Sequence, residues 1–255
     1  MRDDLFHSPK RRLAGAKEHF GDVKAGLEAF IAEKPYARVI ERNARGLEEH
    51  KVKLTNDIPD RITDFAYDTI EDLRSSLDQT VYSVGMACHS TIKPDLMQFP
   101  IADEPAHVEN LIRGKLQDFP PNILSLFRSF KPYKTGNSII WALNRIRRQS
   151  YHRLMIPVGT AIHKAQINSA YISSPHPAEF PAPFWDRGKN EMIVAITGPG
   201  SNLQYDIQLS FFVAFGPVEG VAGKPVFQTL KAMTREVERI VMATEAETRR
   251  LGLIP

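Results

Sequence analysis

Residues 59–88 read PDRITDFAYDTIEDLRSSLDQTVYSVGMAC, and this stretch decides the fold. Its apolar residues recur at steps of three and four positions, the period of one face of an α-helix about eight turns long. Asp57, just before the stretch, is of a residue type that caps helix starts. The pattern therefore predicts a long central helix with one buried face. That face comprises Ile62, Phe65, Ala66, Ile70, Leu73, Leu77, Val81 and Val84.

Further elements are predicted on both sides of this helix. An amphipathic pattern over 8–33 predicts a first long helix, which depends on tertiary packing because it contains three glycines. Two extended segments, 36–43 and 50–56, flank a polar turn and predict a β-hairpin. Shorter helical patterns follow the central helix, over 106–116, 120–130 and 138–151.

The chain changes character after His152, where strand-like segments rich in β-branched and aromatic residues begin. A helical pattern over 225–251 ends the sequence. The predicted fold class is α+β: long N-terminal helices with a β-hairpin, then an antiparallel sheet closed by a terminal helix. We expect a mainly helical region, 1–153, with its hairpin at 36–56, and a β-rich region, 154–255, in one compact unit. The strand-like segments are 154–158, 161–172, 191–197 and 205–215.

Composition narrows the class of protein. With 42% hydrophobic and 25% charged residues, the 255-residue chain is typical of globular proteins. Its one cysteine, Cys88, cannot form an intramolecular disulfide, which favours a reducing compartment. No apolar run is long enough to cross a bilayer, and the N-terminus lacks the apolar core of a signal peptide. We therefore expect a cytoplasmic protein that has no membrane partner.

Charge is unevenly distributed along the chain. Residues 57–118 contain 5 basic and 12 acidic side chains, whereas residues 119–178 contain 8 basic and no acidic ones. In one interpretation the two blocks pack together and neutralise each other. In the other, the basic block faces an external anion such as RNA or a phosphate-bearing ligand.

Motifs for cofactors and metals are absent from the sequence. It has no P-loop, no dinucleotide-binding glycine pattern, no H-E-x-x-H and no paired cysteines, so neither a cofactor nor a metal site is expected. Four aspartates do share one side of the central helix, but they would hold Mg²⁺ only if a second element supplied more oxygen ligands. A solvated or arginine-paired face is the simpler interpretation. The four are Asp60, Asp64, Asp68 and Asp72.

The segment 144–153, NRIRRQSYHR, is the main candidate for chemistry. Arg147 precedes His152 with four residues between them, and a guanidinium and an imidazole at a helix end can act on one phosphodiester. The spacing resembles the arginine–x(4–6)–histidine motif of the HEPN superfamily, helical proteins that include metal-independent ribonucleases acting as dimers. The resemblance implies a homodimer with Arg147 on the phosphate and His152 transferring protons. Further binding candidates in this segment are Arg145, Arg148 and Arg153.

Two features separate this chain from that superfamily. Arg148 follows Arg147 where the superfamily usually has a polar residue, and half of the chain is predicted to be strand rather than helix. The alternative for this segment is a basic helix end that meets the helix dipole and the aspartate-bearing face of the central helix.

A broader resemblance covers most of residues 60–155. Four segments are similar to those of a bacterial protein family with LRSALDH-like, FPI-like, LQPY-like and DKHR-like segments, a family without an established activity. It implies a β-rich second half and no reaction. The segments are LRSSLDQTVY (73–82), FPI (99–101), FKPY (130–133) and WALNRIRRQSYHR (141–153).

This chain departs from that family at Gln79, where the family has a histidine, and at the Ser-Tyr pair before His152. We interpret these positions as a structural polar lock between two helices, in which Arg74 or Asp78 meets His152 or Arg153. Gln79 retains the ability to hydrogen-bond within such a lock.

Residues 174–187, SPHPAEFPAPFWDR, form an irregular insertion with four prolines, which we term the Pro-aromatic segment. Phe180, Phe184 and Trp185 either anchor it to the body of the protein or face a partner, with Trp185 the candidate binding residue. The expected function is that of a non-enzymatic binding or accessory protein with a protein or anionic partner. The alternatives are a HEPN-like ribonuclease or nucleic-acid-binding protein using residues 128–153, and, more remotely, a metal-dependent hydrolase.

Overall fold

A computed structural model describes residues 4–152, 158–173, 177–182, 184–186 and 188–255. It confirms the α+β class, with long helices first, a hairpin between the first two of them, and a helix at the end. The helices are α1 (His7–Ala32), α2 (Asp60–Ala87), α3 (Pro105–Lys115), α4 (Pro121–Ser129), α5 (Ser138–His152) and α6 (Val226–Arg250). The strands are β1 (Tyr36–Arg42), β2 (Glu48–Leu54), β3 (Val158–Ser173), β4 (Trp185–Asp186), β5 (Glu191–Thr197) and β6 (Asn202–Phe215).

Helix α2 is the centre of the hydrophobic core, as its period predicts. Seven of the eight predicted apolar residues are buried, and Phe65 packs at the edge of the core. The prediction that Asp57 caps this helix is wrong, because Pro59 is the N-cap residue and no side chain caps the helix start. Helices α1 and α6 both pack against α2, and α5 packs against α2 from another side.

Two glycines of α1 allow it to approach α2 closely. A Cβ atom at Gly15 would lie 2.7 Å from Asp72 Oδ2, and one at Gly26 would lie 2.9 Å from Ile62 Cγ1. A side chain at either position would displace the Asp72 or the Ile62 side chain from its place between the two helices. The conformational cost of glycine in a helix is therefore offset by interhelical packing.

The strands form two separate sheets rather than one. A four-stranded sheet has the order β1-β2-β5-β4, so the early hairpin pairs with a strand from the second half of the chain. Strands β3 and β6 form a long antiparallel two-stranded ribbon, with Val158 opposite Phe215 and Ser173 opposite Asn202. Of the predicted first strand, 154–158, only Val158 lies within the described residues.

The four-stranded sheet has a small hydrophobic cluster of its own. Trp185, Val52, Met192 and Val194 are buried together, and Leu54 at the end of β2 packs against both this cluster and the main core. No helix within the described residues is long and apolar enough to cross a membrane.

Candidate functional site

Arg74 of α2 lies at the centre of a polar cluster between α2 and α5. It is 5% exposed. Its Nε donates a hydrogen bond to Asn144 Oδ1 of α5 at 3.1 Å, and its Nη2 donates to the carbonyl oxygen of Phe99 at 3.3 Å. Its Nη1 forms an ion pair with Asp78, whose Oδ1 also accepts from the Phe99 N–H at 2.9 Å. The cluster thus joins α2, α5 and the connection after α2.

This geometry brings two of the three predicted polar-lock residues together. Arg74 and Asp78 pair directly, and the residue of α5 that Arg74 reaches is Asn144. Gln79 points to the other side of α2, where its Oε1 accepts a hydrogen bond from Ser8 Oγ of α1 at 2.8 Å. The side chain of His152 and the whole of Arg153 lie outside the described part of the chain.

Arg147, the predicted phosphate-binding residue, is paired with a carboxylate from α2. Its Nε donates to Glu71 Oε2 at 3.2 Å, and its side chain is 33% exposed. The Glu71 carboxylate also affects Tyr67, which lies one turn before Glu71 on α2. Burial and the negative charge of Glu71 raise the pKa of the Tyr67 hydroxyl. The guanidinium therefore belongs to an interhelical contact between α5 and α2.

Other cations of the basic block also have carboxylate partners. Arg128 Nε lies 2.7 Å from Glu109 Oε1. Glu219, in the connection between β6 and α6, binds two cations: its Oε1 lies 2.7 Å from Lys134 Nζ, and its Oε2 lies 3.1 Å from Arg145 Nη2. Arg148 is exposed on α5. The charges of this block are thus partly neutralised within the fold, and Glu219 comes from outside the acidic block 57–118.

The Pro-aromatic segment follows the edge of the four-stranded sheet. Glu179 exchanges two backbone hydrogen bonds with Ile196, and Trp185 pairs with Met192. Trp185 is 8% exposed, whereas Phe180 is 47% and Phe184 is 74% exposed. The tryptophan therefore anchors the segment, and the two phenylalanines project from it.

The structure places Asp72, from the predicted aspartate row, beside α1. Its Oδ1 accepts from Arg12 at 2.8 Å, and its Oδ2 lies 3.8 Å from His19 Nε2. The described residues contain no group of three or more potential metal ligands.

Cys88 is half-buried, its thiol contacts the Gly85 carbonyl oxygen, and burial raises the pKa of that thiol.

Sequence reasoning missed an ionic network on one face of the four-stranded sheet. Lys51 is 7% exposed, and its Nζ contacts three carboxylates. The distances are 2.9 Å to Glu41 Oε2, 3.0 Å to Glu49 Oε2 and 3.0 Å to Glu191 Oε1. Lys53 also pairs with Glu41 and with Glu191. The signal was the alternation of charged residues along β2, but it identifies partners only once the strand register is known.

The chain matches no family model, no curated protein and no solved structure.

Proposed function

We propose that this is a non-enzymatic binding protein that contacts a protein partner through Phe180 and Phe184 of the Pro-aromatic segment. The observation that carries the proposal is the contrast between neighbouring residues, with Trp185 buried in the sheet and Phe184 three-quarters exposed. An anchored segment holds its exposed aromatic residues in place, which lowers the entropic cost of binding. Aromatic side chains are also the usual energetic centres of protein interfaces.

The charges around these rings favour a protein partner over a nucleic acid. Glu179 and Asp186 flank the two phenylalanines and are followed by Arg187 and Lys189, so this stretch has no excess of the positive charge that binds a phosphate backbone. Arg128, Arg145 and Arg147, which an RNA partner would need, already bind carboxylates of the same chain. The partner surface that fits is therefore an apolar pocket on another protein.

The test is site-specific photo-crosslinking in cells of the source organism. A photoreactive residue replaces Phe184 in one variant and, as the matched control, Met242, which is 49% exposed on α6. We expect one defined protein crosslinked from position 184 and absent from position 242. With both proteins purified, Phe184→Ala should weaken binding about tenfold or more and Met242→Ala should not. Equal crosslinking from both positions, or unchanged affinity of Phe184→Ala, would contradict the proposal.

The alternative proposal is a HEPN-like ribonuclease with Arg147 and His152 as its catalytic pair. One observation favours it: three arginines lie within four residues on α5, with Arg148 exposed and the Arg147 guanidinium one-third exposed. The pairing of Arg147 with Glu71 opposes it, because a phosphate would have to displace that carboxylate.

A further inference from the structure

A polar groove runs between α1 and α2, and its lining residues all belong to these two helices. Its volume is about 600 Å³, within the range of small-molecule sites. Ser8, Arg11, Arg12 and Glu18 line it from α1, and Asp72 and Gln79 line it from α2. It is a half-open groove whose walls are mainly polar.

One wall of the groove presents a guanidinium already held in place. Gly15 lets the Asp72 carboxylate lie against α1, because a Cβ atom there would come within 2.7 Å of Asp72 Oδ2. Asp72 in turn accepts from Arg12 Nη1 at 2.8 Å, while the Arg12 side chain remains 53% exposed. The hydrogen bond from Arg12 Nη1 to Asp72 thus holds the guanidinium in place. Because the Arg12 side chain is ordered before a ligand arrives, binding costs less conformational entropy.

Other hydrogen-bond donors lie at the same end of the groove. Arg11 is exposed and forms no ion pair with any residue that the structure describes. Ser8 Oγ donates a hydrogen bond to Gln79 Oε1 at 2.8 Å. This bond fixes the Gln79 side chain and leaves its NH₂ group as the hydrogen-bond donor for a ligand. Ser8 lies in the first turn of α1, where the helix dipole adds partial positive charge, and the two arginines follow one turn later.

The geometry points to a binding site for a small phosphorylated polyol, such as a sugar phosphate. Two guanidinium groups and an amide supply enough N–H donors for the three terminal oxygens of a phosphate monoester. The charge of Asp72 is balanced by Arg12. Glu18 lies seven residues beyond Arg11, about 10 Å along the helix axis, where its carboxylate accepts hydrogen bonds from hydroxyl groups rather than facing the phosphate.

The test is calorimetric titration of the full chain with glucose 6-phosphate, inorganic phosphate and glucose. We expect saturable binding of glucose 6-phosphate, weaker binding of inorganic phosphate and none of glucose. Arg11→Ala should weaken glucose 6-phosphate binding about tenfold. Arg11 is the better variant because Arg12→Ala also removes a contact between the helices.

The matched control is Arg235→Ala, which removes an exposed arginine from α6, a helix that contributes no residue to the groove lining. It should leave the affinity unchanged. Absence of saturable heat from glucose 6-phosphate and phosphate at about 10 mM, or an equal loss in Arg235→Ala, would overturn the site. Phe184→Ala should not alter this binding, so failure here is distinct from failure of the proposed protein contact.

Discussion

Arg147 Nε of α5 donates a hydrogen bond to Glu71 Oε2 of α2, at 3.2 Å. This pair connects the segment that holds the alternative catalytic candidates, Arg147 and His152, to the central helix of the core. It leads to the first prediction, because an arginine that holds two helices together is not free to bind a phosphodiester.

We expect the purified protein not to cleave RNA. A fluorescence-quenched single-stranded RNA incubated without metal should give the same signal with wild type and with Arg147→Ala. Cleavage by the wild type that is lost in Arg147→Ala, while the variant keeps its melting temperature within a few degrees, would support the ribonuclease instead.

Arg74→Ala should strongly destabilise the protein. The substitution leaves Asp78 without its ion-pair partner and removes the hydrogen bonds to Asn144 and Phe99, so we expect a loss of about 3 kcal/mol. Urea unfolding followed by circular dichroism measures it. The control, Arg148→Ala on the exposed side of α5, should change the free energy of unfolding by less than about 0.5 kcal/mol. Similar losses in both variants would show that the cluster has no special role.

Trp185 and Phe184 should differ in their effects on stability. Trp185→Ala removes a buried side chain from the cluster with Val52 and Met192, and should cost about 3 kcal/mol. Phe184→Ala removes a ring that is 74% exposed and should cost less than about 0.5 kcal/mol. Thermal unfolding of the two variants measures the difference. If Phe184→Ala is the more destabilising, the ring is part of the core and not of an interface.

The pKa of Glu41 should be unusually low. Hydrogen bonds from Lys53 and Lys51 lower it from 4.5 to about 2. A carboxylate with a depressed folded-state pKa stabilises the fold above pH 4.5, and this contribution disappears as the pH falls through about 2. Carboxyl ¹³C NMR titration measures this pKa directly. Lys53→Met should raise it, whereas Lys93→Met, at an exposed site in the connection after α2, should not; a pKa near 4.5 in the wild type would contradict the network.

The sequence was sufficient to locate most helices to within one or two residues. Periodicity identified α2, and prolines at 35, 59, 105, 121 and 225 mark where neighbouring elements begin or end. The pairing of strands was harder to predict. The content of β-branched and aromatic residues predicts that β5 and β6 are strands, but not that β5 joins the hairpin while β6 pairs with β3, because that choice depends on contacts between distant residues.

The partners of the polar residues were predicted only in part. Asp78 and Gln79 are neighbours in sequence, yet a helix turns by about 100° per residue, so Asp78 binds the connection after α2 and Gln79 binds α1. Their partners depend on where α1 and that connection pack. Glu219, which binds both Lys134 and Arg145, lies more than 70 residues beyond them, and no local pattern links an acidic residue in a connection to cations that far away.

Helix α6 lies far along the chain from α1 and α2, yet the three helices build one hydrophobic core. Val237 and Ile240 of α6 are fully buried in the core that α1 and α2 share, and Lys10 and Lys17 of α1 bind carboxylates of α6. During translation, α1 and α2 therefore emerge from the ribosome with their apolar surfaces uncovered, and these surfaces stay uncovered until residues 226–250 have been synthesised. Chaperones can bind the apolar surfaces of α1 and α2 during that interval. A chain that ends before residue 226 lacks α6, so these surfaces stay permanently exposed to aggregation and proteolysis.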